Sequence, residues 1–347
     1  MNQTDQIVVA SKKPRLAYID IAKGILICCL LYGHIRVYGP MEDMWDNVMR
    51  VMSHTGGLYG AFFMQSFFII TGFCSSFKDK FIPFLWKNLK TLLIPAILLF
   101  LFSEYYKLLV FGDEGGAILP LEKLAGWVDL KAPWFVLAMF WGRIIYWWIS
   151  RVTVKIQILV LFMLYILGLL CNMYEVHNYQ FFQHTLLLLP YIFVGQLWKG
   201  HKDIVDAYLK PVAIFGACSI LLQNILSQAG VFSMPEHDFA ICVSIKNFPL
   251  HILNSITGTA FVIFISKRIS NNRFLERMGL GTLLIYLWND IVYRSIVRLL
   301  WPIYCPDNIV LCVVFHVIAL ALCYASLYFI IRPLYQGKYL KWIMGKY

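Results

Sequence analysis

Residues 16–35 read LAYIDIAKGILICCLLYGHI. As a helix, these 20 mostly apolar residues extend about 30 Å, the thickness of a bilayer's hydrocarbon core. Asp20, Lys23 and His34 interrupt the run. Lys23 and His34 are 11 residues apart, which places them about 20° apart around a helix and roughly 16 Å apart along it. Asp20, 14 residues before His34, falls about 40° round on the other side, so one polar stripe follows the helix. Basic residues precede the stretch (Lys12, Lys13, Arg15), but its interrupted apolar run and the lack of a small-residue cleavage site mark a retained first helix rather than a leader peptide.

The rest of the chain continues the pattern. Of 347 residues, 60% are hydrophobic and 14% charged, with a mean hydropathy of +0.68. A soluble domain carries roughly 25% charged residues, so an ordinary soluble enzyme is excluded. Ten spans follow, at 16–35, 60–77, 91–111, 133–149, 156–174, 182–198, 211–229, 248–266, 279–300 and 308–331. With the N-terminus in the cytoplasm, the inner segments hold twenty of the thirty Lys and Arg, the outer ones seven, and the spans three. That asymmetry predicts an all-α bundle of about ten transmembrane helices with both termini cytoplasmic. Residues 1–15 form a cytoplasmic N-terminal segment, 16–332 the transmembrane domain and 333–347 a cytoplasmic tail.

The net charge of +11 therefore expresses topology first and calls for no nucleic acid. Eight of the nine cysteines lie in apolar runs and no C-x-x-C spacing occurs, so neither a disulfide framework nor a zinc site is indicated, and no metal is expected. No loop exceeds about 25 residues, so the chemistry belongs in the bundle or at its rims.

Ionisable residues within spans are functional candidates by default, with interhelical pairing as the rival explanation. Beyond the first helix these are Glu104, Arg143, His184, His251, Asp290, Arg294 and His316. Asp290 and Arg294 are spaced for an ion pair, Glu104 and Arg143 have no assignable partner, and the three histidines suit packing or rim positions. In the first helix, Asp20 and Lys23 either pair at i,i+3 or form an anchor near the inner surface, with the His34 imidazole towards the far side. Lys87 and Lys90, after Lys78 and Lys80, place two ammonium groups on one side where the third span begins. They can hold a phosphorylated ligand or simply anchor topology. In Phe67-Phe68-Ile69-Ile70-Thr71-Gly72-Phe73, Thr71 and Gly72 let another backbone approach closely.

Taken in order, these features resemble the membrane-bound acyltransferase 3 family, which includes surface-polysaccharide O-acetyltransferases and fucose acetylase-like proteins. The run from Tyr18 to Ile25 and on to Gly33-His34 is similar to the family's Asp-x-x-Arg/Lys-Gly opening, in which ten residues separate a basic residue from a histidine, as they separate Lys23 from His34. Phe67 to Phe73 is similar to its Phe-Phe-x-x-Ser-Gly-Phe, with Thr71 for serine. Lys87-x-x-Lys90 ahead of Pro95 resembles its Arg-x-x-Arg. Shorter echoes are Trp134-Phe135, Leu189 to Gly195, and Gly279 to Leu287. Lysines replace the arginines, removing the bidentate fork. The late motif ends in Trp288-Asn289-Asp290 where many relatives have histidine, and Gln65 stands near where fucose acetylase-like members carry one.

The resemblance implies a multi-pass protein of a bacterial cytoplasmic membrane. It would move an acetyl group from cytoplasmic acetyl-CoA, the donor substrate, to a hydroxyl of a glycan or lipid-linked sugar. His34 would be the general base or, by a rival route, carry the acyl group itself. Lys87, Lys90 and Lys23 would hold the donor, supported by Asp20, Thr71, Gly72 and Trp134. From another class, a transporter or flippase of glycan intermediates would also line a path with intramembrane charges, but paired broken half-helices are not evident in the sequence. His201-x4-Asp206 matches a glycerolipid acyltransferase pattern by coincidence, without the soluble domain which that pattern requires.

Overall fold

The computed structural model describes residues 16–34, 58–112, 133–176, 181–231, 248–269, 271–303, 308–337 and 342. Among these, the protein is all-α, with no strand. Twelve helices are described: α1 (Ala17–His34), α2 (Phe63–Cys74), α3 (Phe81–Asn88), α4 (Ile94–Phe111), α5 (Trp134–Ile149), α6 (Val154–Met173), α7 (Phe182–Gly200), α8 (Lys202–Gln228), α9 (Phe248–Arg268), α10 (Arg273–Leu280), α11 (Thr282–Leu300) and α12 (Ile309–Gln336). A π-helical turn, Leu89–Leu93, joins α3 to α4.

Each of the ten apolar stretches falls largely on helix. Five helical runs are long and apolar enough to cross a membrane: Phe81–Phe111, Val154–Met173, Lys202–Gln228, Phe248–Arg268 and Ile309–Gln336. The run Phe81–Phe111 begins ten residues before the predicted span, because a hydropathy pattern detects the apolar part of a helix and not its polar approach. Pro95 has no N–H for the carbonyl four residues back, at Thr91, and the backbone widens into the π turn just before it. Helix α8 likewise extends back to Lys202, where Lys202 and Asp206 pair at 3.4 Å. The predicted span 279–300 is interrupted at Gly281, whose N–H closes α10 on the carbonyls of Arg277 and Met278. Asn272 opens α10 by accepting from the Leu275 N–H at 2.9 Å.

Lipid tails are as apolar as leucine, so helices in a bilayer associate through close packing and polar contacts rather than through hydrophobicity. Two backbone crossings organise the bundle in this way. At the first, a Cβ on Gly24 would overlap the Leu275 carbonyl, and one on Gly279 the Asp20 carbonyl, so α1 lies directly on α10. At the second, a Cβ on Gly72 would strike the Ile192 carbonyl and one on Gly195 that of Ile69, joining α2 to α7. The close approach expected at Gly72 is thus present. α1 also touches α2, α9 and α11, α7 packs on α5 and α6, and α11 on α4 and α12. Buried Leu26, Ile27, Phe63, Phe68 and Ile285 belong to one core at the centre of these contacts. The apolar side chains of Leu159 and Phe162 on α6 and Phe329 on α12 are exposed on the outside, as lipid-facing positions are.

Candidate functional site

Two of the predicted site residues, Lys23 and Thr71, line one cavity of about 170 Å³. Its walls come from four helices and the π turn. α1 supplies Lys23, Ile27 and Leu30, α2 supplies Phe67 and Thr71, α5 supplies Phe135 and Arg143, and α11 supplies Thr282 and Tyr286. Leu92 enters from the π turn.

Lys23, Ile27 and Leu30 lie at steps of four and three residues, one turn apart on a single face. The two glycine crossings hold this face in place, because α1 is fixed against α10 next to Lys23 and α2 against α7 next to Thr71. Phe135 ties the walls together. Its ring meets Phe67 at 5.6 Å, Phe68 at 5.7 Å and Tyr286 at 5.5 Å between centroids, in arrangements that aromatic quadrupoles favour. Its backbone N–H also donates to the Tyr286 hydroxyl at 3.4 Å.

The polar lining is cationic. Lys23 Nζ stands 4.0 Å from Asp20 Oδ1, and Asp20 is buried, so the i,i+3 pairing, one of the two readings of the first helix, is present at the limit of an ion pair. Arg143 is different. Its Nε is buried without a hydrogen-bond partner, and its guanidinium lies 5.9 Å from the Phe84 ring centroid. No carboxylate is among the described residues lining the cavity. Arg143 is half-buried, a cation drawn partly out of water with no carboxylate facing it is costly, and the charge favours a negatively charged occupant.

The other predicted residues fall around this centre. His34 is the last residue of α1, and its side chain lies outside the described residues. Gly72 is at the α2–α7 crossing, where its carbonyl accepts from Gln196 Nε2. Trp134 does not line the cavity. Its ring faces His184 at 5.2 Å, and the neighbouring Phe135 forms the wall instead.

Lys87 and Lys90 do not line it either. Lys87, on α3, is exposed, and Lys90, on the π turn, reaches to 4.9 Å from the Trp86 ring centroid. Both belong to the rim segment that follows α2. Trp147 Nε1 donates to the Asp79 carbonyl at 3.0 Å, and Arg151 donates to the carbonyls of Phe77 at 2.9 Å and Asp79 at 2.8 Å. This rim is thereby fastened to the end of α5, six residues beyond Arg143.

Charged groups of α4 and α11 pair with one another, and two buried histidines take neutral partners. Asp290 Oδ1 accepts from Arg294 Nε at 2.9 Å, as the spacing predicts, and Lys107 bridges Asp290 at 3.0 Å and Glu104 at 3.4 Å. His251 is buried between Gln65 Nε2 at 2.9 Å and the Tyr191 hydroxyl at 3.1 Å. His316 contacts the Tyr293 hydroxyl at 2.8 Å. The packing role expected of these two histidines agrees with such partners.

Arg143 is the residue that the sequence left without a role. Its only signal was an arginine inside the apolar run Trp134–Ile149. The short echoes gain weight from the fold: Phe135, Thr282 and Tyr286 all line the cavity, and Gly195 and Gly279 are the partners in the two backbone crossings.

Comparison with known proteins gives the family. A family model described as an acyltransferase domain, that of acyltransferase 3, matches residues 16–328. No curated protein and no solved structure matches the chain. The matched region takes in both glycine crossings and every wall of the cavity, and with most of its length so covered this multi-pass helical membrane protein belongs to the acyltransferase 3 family of acyltransferases.

Proposed function

We infer that the protein transfers an acetyl group from cytoplasmic acetyl-CoA to a hydroxyl of a cell-surface glycan or lipid-linked sugar, with His34 as general base. One observation carries this: the α1 face bearing Lys23, Ile27 and Leu30 lines the cavity, and the same periodicity next reaches position 34. A donor entering from the basic rim would follow that face towards the histidine. The distribution of Lys and Arg supports ten spans with both termini in the cytoplasm, and the chemistry suits a bacterial cytoplasmic membrane, where CoA and the glycan meet from opposite sides.

The neutral His34 imidazole accepts the proton of the acceptor hydroxyl as its oxygen attacks the thioester carbonyl carbon. The tetrahedral oxyanion then collapses, the carbon–sulfur bond breaks, and the departing CoA sulfur takes the proton from the imidazolium. An ester and free CoA result. Lys87 and Lys90 meet the phosphates of CoA at the rim as charge-assisted contacts, and Lys23, held by Asp20, lies further along the path. Thr71 shapes the wall, Gly72 lets α7 close on α2 beside it, and Trp134 supports Phe135.

The test is release of free CoA by the purified full-length protein given acetyl-CoA and a surface glycan, for wild type and His34→Ala. Loss of turnover in a folded H34A protein supports the reading. Full turnover by H34A removes the histidine from the chemistry, and no CoA release by wild type with vectorial movement of a lipid-linked glycan makes the protein a transporter.

A further inference from the structure

We propose that Arg143 and Lys23 form a paired cation site that holds the diphosphate of the CoA donor, leaving the 3′-phosphate to Lys87 and Lys90 at the rim. This rests on the acyl-CoA reading above and adds to it a residue and a division of labour among the three phosphates.

Charge comes first. Arg143 and Lys23 face one cavity, no carboxylate is among the described residues lining it, and Arg143 has a buried Nε without a hydrogen-bond partner. A guanidinium offers five donors in a planar fork that matches phosphate oxygens. Lys23 adds a second cation that its 4.0 Å pairing with Asp20 only partly offsets. The nearby hydroxyl-bearing side chains in the wall, Thr71, Thr282 and Tyr286, suit the remaining oxygens of such a group.

Depth comes second. Lys23 is six residues into α1 from Ala17, and Arg143 is six residues from the end of α5 at Ile149, so each lies about 9 Å in from its helix end. These ends share one side of the bundle. The end of α5 is bonded to the segment following α2, and Cys74, which closes α2, is within electrostatic reach of both Lys23 and Arg143. From that level to position 34 the helix rises roughly 16 Å. The pantetheine arm from the diphosphate to the sulfur is a chain of about a dozen bonds that spans roughly 15 Å when extended. A diphosphate held at Lys23 and Arg143 therefore brings the thioester to the level of His34. The 11-residue interval between Lys23 and His34 acts as a ruler for that arm.

The experiment measures the affinity of full-length protein in nanodiscs for CoA and for 3′-dephospho-CoA, along with the melting temperature of the unliganded protein. Wild type, R143M, R143K and the K87A/K90A double variant are compared. R143M is expected to weaken both ligands by the same factor, roughly tenfold or more, with R143K recovering part of the loss. The unliganded R143M protein should melt at or above the wild-type temperature, because methionine fills a similar volume without a half-buried charge that no carboxylate faces. K87A/K90A should instead erase the preference for CoA over 3′-dephospho-CoA, which R143M keeps.

Unchanged affinities in R143M overturn the site while wild-type CoA binding leaves the acyl-CoA reading standing. A loss confined to CoA moves Arg143 to the 3′-phosphate and overturns the assignment to the diphosphate. An R143M protein that melts well below wild type makes the arginine a structural group, and R143K then distinguishes charge from packing by whether affinity for both ligands returns; no return overturns the proposal. A folded wild type that binds neither nucleotide removes the acyl-CoA reading itself.

Discussion

The start and the middle of α11 stand in opposite electrostatic surroundings. Towards its start, Thr282 and Tyr286 face a cavity with Lys23 and Arg143 and, among the described lining residues, no carboxylate. Further along, Asp290 and Arg294 join Lys107 and Glu104 in a network of two cations and two anions, with contacts of 2.9 to 3.4 Å. Both regions hold charges in an apolar bundle. The network balances them within itself and so fastens α11 to α4, whereas the cavity keeps an excess that a ligand can complete. Charge balance therefore separates a structural cluster from a binding site better than the presence of charge does.

The largest test of this contrast is at His34. H34A should lower turnover by about 10²- to 10⁴-fold with little change in melting temperature, as read from CoA release and thermal unfolding on the same preparation. Loss of melting temperature with retained turnover would invert the roles assigned to the two regions.

Asp290→Ala should do the reverse. It leaves Lys107 and Arg294 without their shared carboxylate, at a cost of about 2 kcal/mol, below that of a fully buried pair because the Asp290 side chain is 32% exposed. Thermal unfolding reads the loss, and turnover per folded molecule should hold. A D290A protein as stable as wild type would mean that the network does not fasten α4 to α11.

At the rim, K87A/K90A should weaken acetyl-CoA binding by about tenfold, an effect that fades as salt screens exposed charges. Equal affinities at low salt would return both lysines to topology alone. The smallest change is expected from Thr71→Ser, which keeps the hydroxyl and removes a methyl group from the wall. kcat/KM should stay within about twofold, and a larger fall would show that the methyl shapes the cavity.

Much of this contrast is legible in the amino-acid sequence. The Asp290–Arg294 pair follows from a four-residue spacing, and Lys23 and His34 share a face because the helical period is 3.6 residues. Gly72 announces a close crossing. Glu104 is different: its connection to Asp290 runs through Lys107, which lies on another helix from Asp290, and no local spacing relates α4 to α11. The interruption at Gly281 and the π turn before Pro95 are also missed by a hydropathy pattern, which averages over a window and passes smoothly across a change of backbone geometry.

By itself, the sequence determined that this chain is a bundle of apolar helices, which face of α1 carries the polar stripe, and which family it resembles, since period and composition act within each helix. Only the tertiary structure decided that Arg143 joins Lys23, that Phe135 rather than Trp134 forms the wall, and that Gly24 meets Gly279. Those contacts depend on where helices cross, and crossings are set by the packing of many side chains at once, not by the spacing along any one of them.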